Sequence, residues 1–174
     1  MKLIPPHRKK SSPVLAWKQI RGEAKELIRF FDEKSGKFEG KYKDAFAIHH
    51  SQVSDSPLNF FVVHKKLVKE KSFPHRVIVN PVIVKTFKDS DELTREACMS
   101  YPDTKPAKIK RFQEIEVSYE VPRFGLYLTK VEKQYKMGIV AQVFQHECDH
   151  ANAVFVYDRE PEKRAKKRER ANAK

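Results

Sequence analysis

The chain of 174 residues has few cysteines and no long hydrophobic run. Its two cysteines, Cys98 and Cys148, are too few for a disulfide framework, and its amino terminus does not resemble a secretory signal. The longest apolar runs, such as Phe60–Val63, are far shorter than the ~20 residues that a membrane-spanning helix needs. Membrane insertion is therefore excluded, and we expect a protein of the reducing cytoplasm, where cysteine together with histidine indicates a metal or catalysis.

Acidic residues are scarce relative to basic ones, since 23 Asp and Glu face 36 Lys and Arg and leave a net charge of +13. Such an excess favours binding to a polyanion, such as nucleic acid, a ribosome or an acidic lipid surface, although solubility also explains it. The excess is greatest at residues 159–174, which hold eight basic residues and three glutamates. We expect residues 158–174 to form a basic helical tail, either solvated or docked on an acidic partner, without sequence-specific binding of nucleic acid.

The length fits one domain, with an amino-terminal arm at 1–13 and a folded body at 14–157. Hydrophobic periodicity predicts strands that follow one another instead of alternating with helices, which is typical of an α+β fold with mainly antiparallel sheets. The predicted elements are a helix at 14–31, a loop at 32–41, strands at 45–50, 58–64 and 76–85, a turn at 86–94, strands at 108–119 and 124–129, and a helix at 137–154.

Two details refine the predicted strands. Asn80-Pro81 interrupts the third strand, so we place it at a sheet edge or a bulge. In the fourth strand Ile115, Val117 and Tyr119 alternate with polar residues and share one face.

The last predicted helix contains the string Gln145-His146-Glu147-Cys148-Asp149-His150. Residues four apart on an α-helix project from one face, roughly 40° apart, so His146 and His150 can reach one metal ion. Glu147 suits a general base acting on a water whose pKa the metal has lowered. The plainer alternative is that both histidines only pack. Cys148 points to the opposite face, and we expect it to pack. The predicted fold thus has its sheets packed around a central metal-binding helix.

A metal on this helix needs a third ligand from elsewhere in the chain. His7, His64 and His75 offer no second cluster, whereas Cys98 lies in Glu96-Ala97-Cys98-Met99-Ser100, after the predicted turn. A lone cysteine is usually a small buried hydrophobic residue, so both interpretations of Cys98 stay open on the residues alone.

Three segments together resemble the motifs of peptide deformylases. Gln145–His150 is similar to their HExDH motif, Glu96–Ser100 to their EGCLS motif, and Ala45–Gln52 to their GxGLAAxQ motif. Val77–Pro81 also resembles the strand ending in Asn-Pro that lies between the first two motifs in chain order. The resemblance extends from about Val14 to Tyr157 and leaves out both termini.

The resemblance implies that Cys98, His146 and His150 bind one divalent ion, with Fe(II) expected and Zn(II), Ni(II) or Co(II) also compatible with thiolate and imidazole. It implies that Glu147 is the acid and base, and that the Gln52 amide and the Met99 N–H stabilise an oxyanion. It also implies that Glu96, Asp149 and Arg111 support the ligands, with Arg111 as the ion-pair partner of Glu96. The alternative for these three residues is that they are ordinary surface charges. The candidate substrate pocket consists of Ala45, Phe46, Ala47, Ile139, Gln142 and Val143.

The sequence also departs from the family's motifs. Four glycines are replaced by Ala45, Ala47, Ala97 and Ala153, and two alanines by His49 and His50. Alanine fits where φ is negative and nothing needs the space of its methyl group. In a strand the paired histidines point to opposite faces, so one of them can enter the substrate cleft, and we expect neither to be a ligand. The departures concern substrate fit and rate.

The implied reaction is removal of the N-formyl group from the initiator methionine of a nascent chain, with formate as product. The basic tail suggests contact with the ribosome, where this substrate is made. Two alternatives remain at this point. One is a catalytically weakened deformylase-like module that binds the ribosome or nascent chain through its tail. The other is a metalloprotease that uses the same helix with a third ligand other than Cys98.

Overall fold

The computed structural model describes residues 1–36, 45–69, 73, 75–101, 104–136 and 138–160. The helices are α1 (Trp17–Gly36), α2 (Lys65–Lys69) and α3 (Ile139–Ala151). The strands are β1 (Ala47–His49), β2 (Phe60–Val63), β3 (Val77–Glu96), β4 (Ala107–Arg123) and β5 (Tyr127–Lys136). Short 3-10 helices lie at His50–Gln52 and Val156–Arg159. No helix within these ranges has the length and apolar character required to cross a membrane.

The five strands form one antiparallel sheet in the order β1-β2-β3-β4-β5. Each strand therefore pairs with its neighbour in the chain, as short connections between antiparallel strands require. The predicted α+β class with antiparallel pairing is confirmed. The strands described here join into a single sheet instead of several.

A helix covers each face of this sheet. Phe60 and Val62 of β2 pack in the core cluster that contains the buried side of α1. Their neighbours Phe61 and Val63 pack in a second cluster, which contains Phe144 of α3. Helical spacing in the sequence predicts an apolar face of the first helix, and of its residues Trp17, Ile20, Ala24, Leu27 and Phe31 are buried, whereas Ile28 is half-buried. The predicted buried face of β4, with Ile115, Val117 and Tyr119, is confirmed. The motif helix α3 is thus held against one face of the sheet by apolar packing.

The first helix is longer than predicted at its carboxyl end. It begins at Trp17 and continues to Gly36, so the predicted loop at 32–41 is wrong for residues 32–36, and residues 37–41 lie outside the described ranges. Asp32, Glu33 and Lys34 are polar enough to suggest a loop, but they can equally occupy the solvent side of a helix. Ser35 is buried and donates its hydroxyl to the Phe31 carbonyl at 2.6 Å.

The predicted turn at 86–94 is also wrong, because β3 continues through it to Glu96. The segment is too polar to be recognised as a strand, but β4 supplies its backbone partners, from Thr86 opposite Ile115 to Glu96 opposite Ala107. The pairing is irregular, with register shifts between Thr86 and Leu93. The long strand carries the chain to Glu96, and Cys98 follows two residues later.

The prediction of a bulge at Asn80-Pro81 is confirmed by a register shift between Val79 and Val82. Asn80 has a φ of +48°, a region that asparagine tolerates better than most residues. Its side chain accepts a hydrogen bond from the Val14 N–H at 2.8 Å and donates to the Val14 carbonyl at 2.7 Å. The bulge therefore fixes the start of the folded body to the sheet.

Three further elements, β5, α2 and α3, differ from the sequence prediction. Residues 124–126 form the turn between β4 and β5, and β5 runs from Tyr127 to Lys136 instead of occupying 124–129. Most of β5 is exposed or half-buried, so it lacks the hydrophobic pattern of a strand. The short helix α2 was not predicted. The last helix begins at Ile139 and ends at Ala151, within the predicted 137–154, and Met137 lies outside the described residues.

The end of α3 is fixed by a residue with left-handed backbone. Ala153 has a φ of +58°, and its N–H donates to the His150 carbonyl at 3.1 Å. The Val154 N–H donates to the Asp149 carbonyl at 2.9 Å, which completes a Schellman motif. Ala153 therefore does not meet the condition of negative φ under which alanine fits well. The motif closes the helix directly after the string Gln145–His150.

The amino-terminal segment 1–13 contains no helix and only one bridge, between Ser12 and Leu58. It lies along the body, where the Ile4 N–H donates to the Gln52 carbonyl at 3.0 Å and the Ser11 N–H donates to the Ala151 carbonyl at 2.9 Å. Of the predicted helical tail at 158–174, residues 158 and 159 belong to the 3-10 helix Val156–Arg159, and residues 161–174 lie outside the described ranges.

Candidate metal centre

The structure brings Cys98, in the connection between β3 and β4, to His146 and His150 of α3. Their ligand atoms all lie within 4.8 Å of one another, and Cys98 Sγ is 3.2 Å from His150 Nε2. Helical spacing places the two imidazole rings 5.0 Å apart on one face of α3. Cys98 and His150 are buried, whereas His146 is partly exposed, so solvent reaches the cluster from the His146 side.

The donor chemistry of this cluster suits a divalent transition-metal ion. Thiolate and imidazole bind such ions at about 2.0–2.3 Å, so two ligands of one ion lie about 3–4 Å apart. The 3.2 Å between Cys98 Sγ and His150 Nε2 falls in that range. Three ligands leave one position of a four-coordinate ion for water or substrate, as catalytic sites require. No other group of three ligating side chains occurs in the described part of the chain.

Glu96, the last residue of β3, orients His146. Its Oε2 lies 3.0 Å from His146 Nδ1, which leaves Nε2 of the ring as the atom for the metal. Burial opposes the charge of Glu96, but hydrogen bonds from Arg111 and His146 outweigh it and lower the pKa of Glu96 to about 2. Glu96 is therefore a carboxylate that accepts from the imidazole.

Arg111 joins Glu96 to Asp149. Its Nε and Nη2 donate to the two oxygens of Glu96 at 2.8 and 2.6 Å, and its Nη1 donates to Asp149 Oδ2 at 2.6 Å. The ion pair expected between Arg111 and Glu96 is thus present. All three side chains are buried, so they are not ordinary surface charges. Together they form a rigid support behind His146.

Glu147 is buried beside the cluster without being part of it. Its Oε2 has no hydrogen-bond partner in the described ranges. Burial raises the pKa of Glu147 to about 7, against the smaller opposing effect of His146. A carboxyl group that titrates near neutral pH can both accept and return a proton, whereas a nearby cation favours its charged form.

Gln52 reaches the cluster from the 3-10 helix that follows β1. Its Nε2 donates to Ser100 Oγ at 3.1 Å and lies 3.7 Å from Cys98 Sγ, while its Oε1 accepts from the His49 N–H at 2.9 Å. Met99 is buried next to Cys98 in the chain, with its side chain in the α1 cluster. Gln52 thus lies beside the thiol in space, and Met99 follows Cys98 in the chain. The contact with Ser100 had not been expected, although Ser100 belongs to one of the motifs.

The candidate pocket residues lie on two elements that pack against each other, α3 and the segment leading into β1. Val143 is buried and Gln142 is half-buried about one helical turn before His146, and Ile139 is half-buried about two turns before it. In the other segment Phe46 is 41% exposed. Its flanking residues Ala45 and Ala47 are half-buried.

The paired histidines of the first motif are both buried and do not belong to the ligand cluster. His49 stacks on His150, with ring centroids 6.2 Å apart and an interplanar angle of 17°. His50 points to the other side, where it stacks on Phe60 at 4.7 Å and lies 3.2 Å from Glu23. His49 thus lines the metal centre and His50 fills the α1 side.

Sequence reasoning missed two neighbours of the site that follow α3. Arg159, assigned to the tail, donates its Nε to Asp149 Oδ2 at 2.5 Å and its Nη2 to Asp149 Oδ1. The Phe155 ring meets His150 edge-on at 5.9 Å. No local pattern indicates either contact, since the turn after Ala151 folds this segment back onto the helix. Cys148 is buried and lies outside the cluster, which agrees with the expectation that it packs.

Comparisons with known proteins agree with these motifs. The family model described as polypeptide deformylase matches residues 8–167. A peptide deformylase of Thermotoga sp. (strain RQ2) is 29% identical over 140 residues, which cover 80% of each chain. One of Thermotoga maritima is 38% identical over 82 residues, 47% of this chain and 46% of the relative.

Solved structures are similar in fold. The peptide deformylase of Thermotoga maritima has a TM-score of 0.67 and 26% identity, and the match covers 88% of this chain and 90% of that one. The peptide deformylase of Plasmodium falciparum has a TM-score of 0.73 and 23% identity, with 98% and 91% coverage.

Proposed function

The chain belongs to the polypeptide deformylase family, and on this premise we propose how its own residues remove the formyl group from the initiator methionine of a nascent chain. It is a peptide deformylase, a hydrolase that depends on a metal. The observation that carries the assignment of its site is the meeting of Cys98 with His146 and His150, because Cys98 and His150 are 52 residues apart in the chain and belong to two different motifs.

Cys98, His146 and His150 are the proposed ligands. A divalent ion bound to them supplies positive charge that polarises the formyl group and lowers the pKa of water. The resemblance favours Fe(II), and metal analysis of protein purified without oxygen tests this identity. Zinc recovered under those conditions in stoichiometric amount, with no iron, would contradict it.

Glu147 is the proposed proton carrier. It takes a proton from the water that adds to the formyl carbon, and it returns that proton to the nitrogen as the C–N bond breaks, which releases formate and a free amino terminus. The support for this role is its buried Oε2, which has no hydrogen-bond partner in the described ranges. The proposed donors to the oxyanion are the Gln52 amide, whose Nε2 lies 3.7 Å from Cys98 Sγ, and the N–H of Met99, the residue after Cys98.

The methionine side chain of the substrate needs an apolar slot beside this machinery. Val143 and Ile139 lie on α3 one and two turns before His146, respectively, which places them along the ligand face of the helix. Phe46 is the apolar residue on the opposite wall. We assign the substrate methionine to the space between these two walls.

Release of formate from formyl-Met-Ala-Ser tests the reaction directly. Glu147→Gln keeps the size of the side chain and removes its ability to carry a proton, so we expect formate release to fall by about 100- to 10,000-fold. Equal rates for the two proteins would show that Glu147 is not the acid and base.

The third ligand is tested by Cys98→Ala. We expect this variant to lose both bound metal and activity, because the cluster then retains two imidazoles only. Retention of metal and activity would mean that the third ligand lies elsewhere, as in the metalloprotease alternative. Membership of the deformylase family does not favour that alternative, nor the catalytically weakened module.

The basic tail is proposed to bring the enzyme to the ribosome, and its place of action is then the cytoplasm. Residues 161–174 contain seven basic and two acidic residues, a charge that favours ribosomal RNA. A chain ending at Glu160 should co-sediment less with ribosomes at low salt, and the difference should disappear as salt is raised. Equal co-sedimentation of the two chains at low salt would contradict this role.

A further inference from the structure

The ion pairs behind the metal centre continue beyond Arg111 to Arg159, a residue outside all three motifs. Arg159 contacts Asp149 through two nitrogens, Asp149 contacts Arg111, and Arg111 holds Glu96, which orients His146. We propose that Arg159 is a positioning residue of the metal centre, acting through Asp149 and Arg111. The inference rests on the ligands proposed above, and it assigns to the site a residue whose sequence context is that of the basic tail.

Arg159 balances the charge of the buried carboxylates behind His146. Glu96 and Asp149 are both buried, and Arg111 is the only buried cation that pairs with them in the described ranges. Two carboxylates that share one guanidinium leave an uncompensated negative charge, which is costly in a buried site. Arg159 supplies the second positive charge. Its side chain is 44% exposed, so it neutralises Asp149 while keeping its own access to water.

Arg159 donates two of the three hydrogen bonds that arginine side chains make to the Asp149 carboxylate. Oδ2 accepts from both Arg111 and Arg159, whereas Oδ1 accepts from Arg159. The Asp149 side chain is only 10% exposed, so water is a poor substitute for the lost donor. Without Arg159, Asp149 would compete more strongly for Arg111.

Competition between Asp149 and Glu96 for Arg111 affects the metal centre through Glu96 and His146. Of the three side-chain hydrogen bonds that Arg111 donates to Glu96 and Asp149, two go to Glu96. Glu96 in turn lies 3.0 Å from His146 Nδ1 and fixes the direction of the ring. A shift of Arg111 toward Asp149 therefore loosens Glu96 and the imidazole that it orients. Partners of metal ligands of this kind typically contribute 10- to 100-fold to metal affinity or activity.

The chain offers a matched control in the same segment. Arg159 ends the 3-10 helix Val156–Arg159, and the preceding residue Asp158 is held by Arg8 of the amino-terminal arm at 2.5 and 2.8 Å. Arg8 also stacks over the Phe155 ring at 4.9 Å. Arg8 and Arg159 therefore both fix this segment through an aspartate, but only Arg159 contacts Asp149.

The test compares Arg159→Gln, Arg159→Lys and Arg8→Gln by competition for Zn(II) with a chromophoric chelator. We expect Arg159→Gln to bind zinc about tenfold more weakly than the unaltered chain. Arg159→Lys keeps the charge but not the fork of donors, so its loss should be smaller. Arg8→Gln should leave zinc affinity unchanged.

Two further readouts separate positioning from a loss of fold. In the cobalt-loaded protein, Arg159→Gln should change the visible absorption of the metal, because the direction of the His146 ring changes while all three ligands remain. In the formate assay, kcat should fall at nearly constant KM, since Arg159 does not contact substrate. Urea unfolding of each variant confirms that the fold is retained.

Three outcomes would overturn the inference: unchanged zinc affinity and cobalt spectrum in Arg159→Gln, an equal loss in Arg8→Gln, or no recovery in Arg159→Lys. Equal losses in the two glutamine variants would mean that fixing the segment is sufficient. Failure of the proposed function looks different, because the unaltered chain would then bind no stoichiometric zinc or release no formate.

Discussion

Replacing Arg111 by methionine should be among the most damaging single changes to the stability of this chain. The Arg111 side chain is 2% exposed and makes three charged hydrogen bonds of 2.6 to 2.8 Å, two to Glu96 and one to Asp149. Methionine has a similar length, so the change leaves little cavity. The cost comes from two buried carboxylates that lose their shared cation.

Removing one partner of a buried ion pair costs about 3–5 kcal/mol, because the remaining charge stays buried without compensation. This is a large share of the roughly 5–15 kcal/mol that stabilises a typical domain. Glu96 would respond by taking up a proton, since its pKa of about 2 depends on Arg111 and His146 while burial acts in the opposite direction. The double variant Arg111→Met/Glu96→Gln removes the charge of Glu96, while Asp149 keeps its ion pair with Arg159. We expect it to recover about 1–3 kcal/mol relative to the sum of the single changes.

The measurement is urea unfolding at about pH 7 in the presence of EDTA, so that a bound metal does not contribute to the apparent stability. The four proteins of the cycle are the unaltered chain, the two single variants and the double variant. A loss of less than about 1 kcal/mol in Arg111→Met would contradict the reasoning, because that is the size of an ordinary substitution. Strict additivity in the cycle would show that Arg111 and Glu96 do not depend on each other.

Three other predictions follow from the packing and the arm. Phe144 is fully buried among four aromatic rings, so Phe144→Ala should lower the free energy of unfolding in urea titrations by about 3–5 kcal/mol. The control Val84→Ala, at a position that is 57% exposed, should change this free energy by less than about 0.5 kcal/mol. Cys148→Ala should retain full metal stoichiometry by elemental analysis, because the thiol lies outside the ligand cluster, and loss of the metal would contradict that placement. The hydrogen bond from Arg8 lowers the pKa of Asp158 below its ordinary 3.8, so this pair stabilises the fold above about pH 4 and the contribution is lost as pH falls through the lowered value. The unfolding temperatures of Arg8→Gln and the unaltered chain should therefore differ near pH 6, and the difference should shrink as the pH falls below 3.8. A difference that stays constant with pH would refute the pairing.

The helices and the buried strands were predictable because their patterns are local. The apolar spacing of α1 and the alternation of Ile115, Val117 and Tyr119 each arise within one element, and the structure buries the residues on the predicted faces. The string from Gln145 to His150 likewise contains its own geometry, since a helix places residues four apart on one side.

The errors occur where long-range pairing outweighs local composition. Residues 86–94 are polar and suggest a turn, but hydrogen bonds to β4 extend them as a strand. In β5, exposure of the alternating side chains removes the hydrophobic signal, although the backbone pairs with β4 along its whole length. The end of α3 at Ala151, before the predicted 154, is a difference of another kind, because the Schellman motif imposes a positive φ on Ala153, a residue that does not favour it.

The sequence by itself determined the chemistry of this protein: which residues are able to bind a metal, which carboxylate stands beside them, and to which family the motifs belong. The tertiary structure alone decided how these groups are held. Cys98 reaches the histidines because β3 runs on to Glu96, and Asp149 meets Arg159 because the chain reverses at Ala153. Which residues are able to bind a metal is a property of their side chains, so it can be read from the sequence. How the ligands are held in position depends on distances between residues far apart in the chain, and only the packed fold specifies these distances.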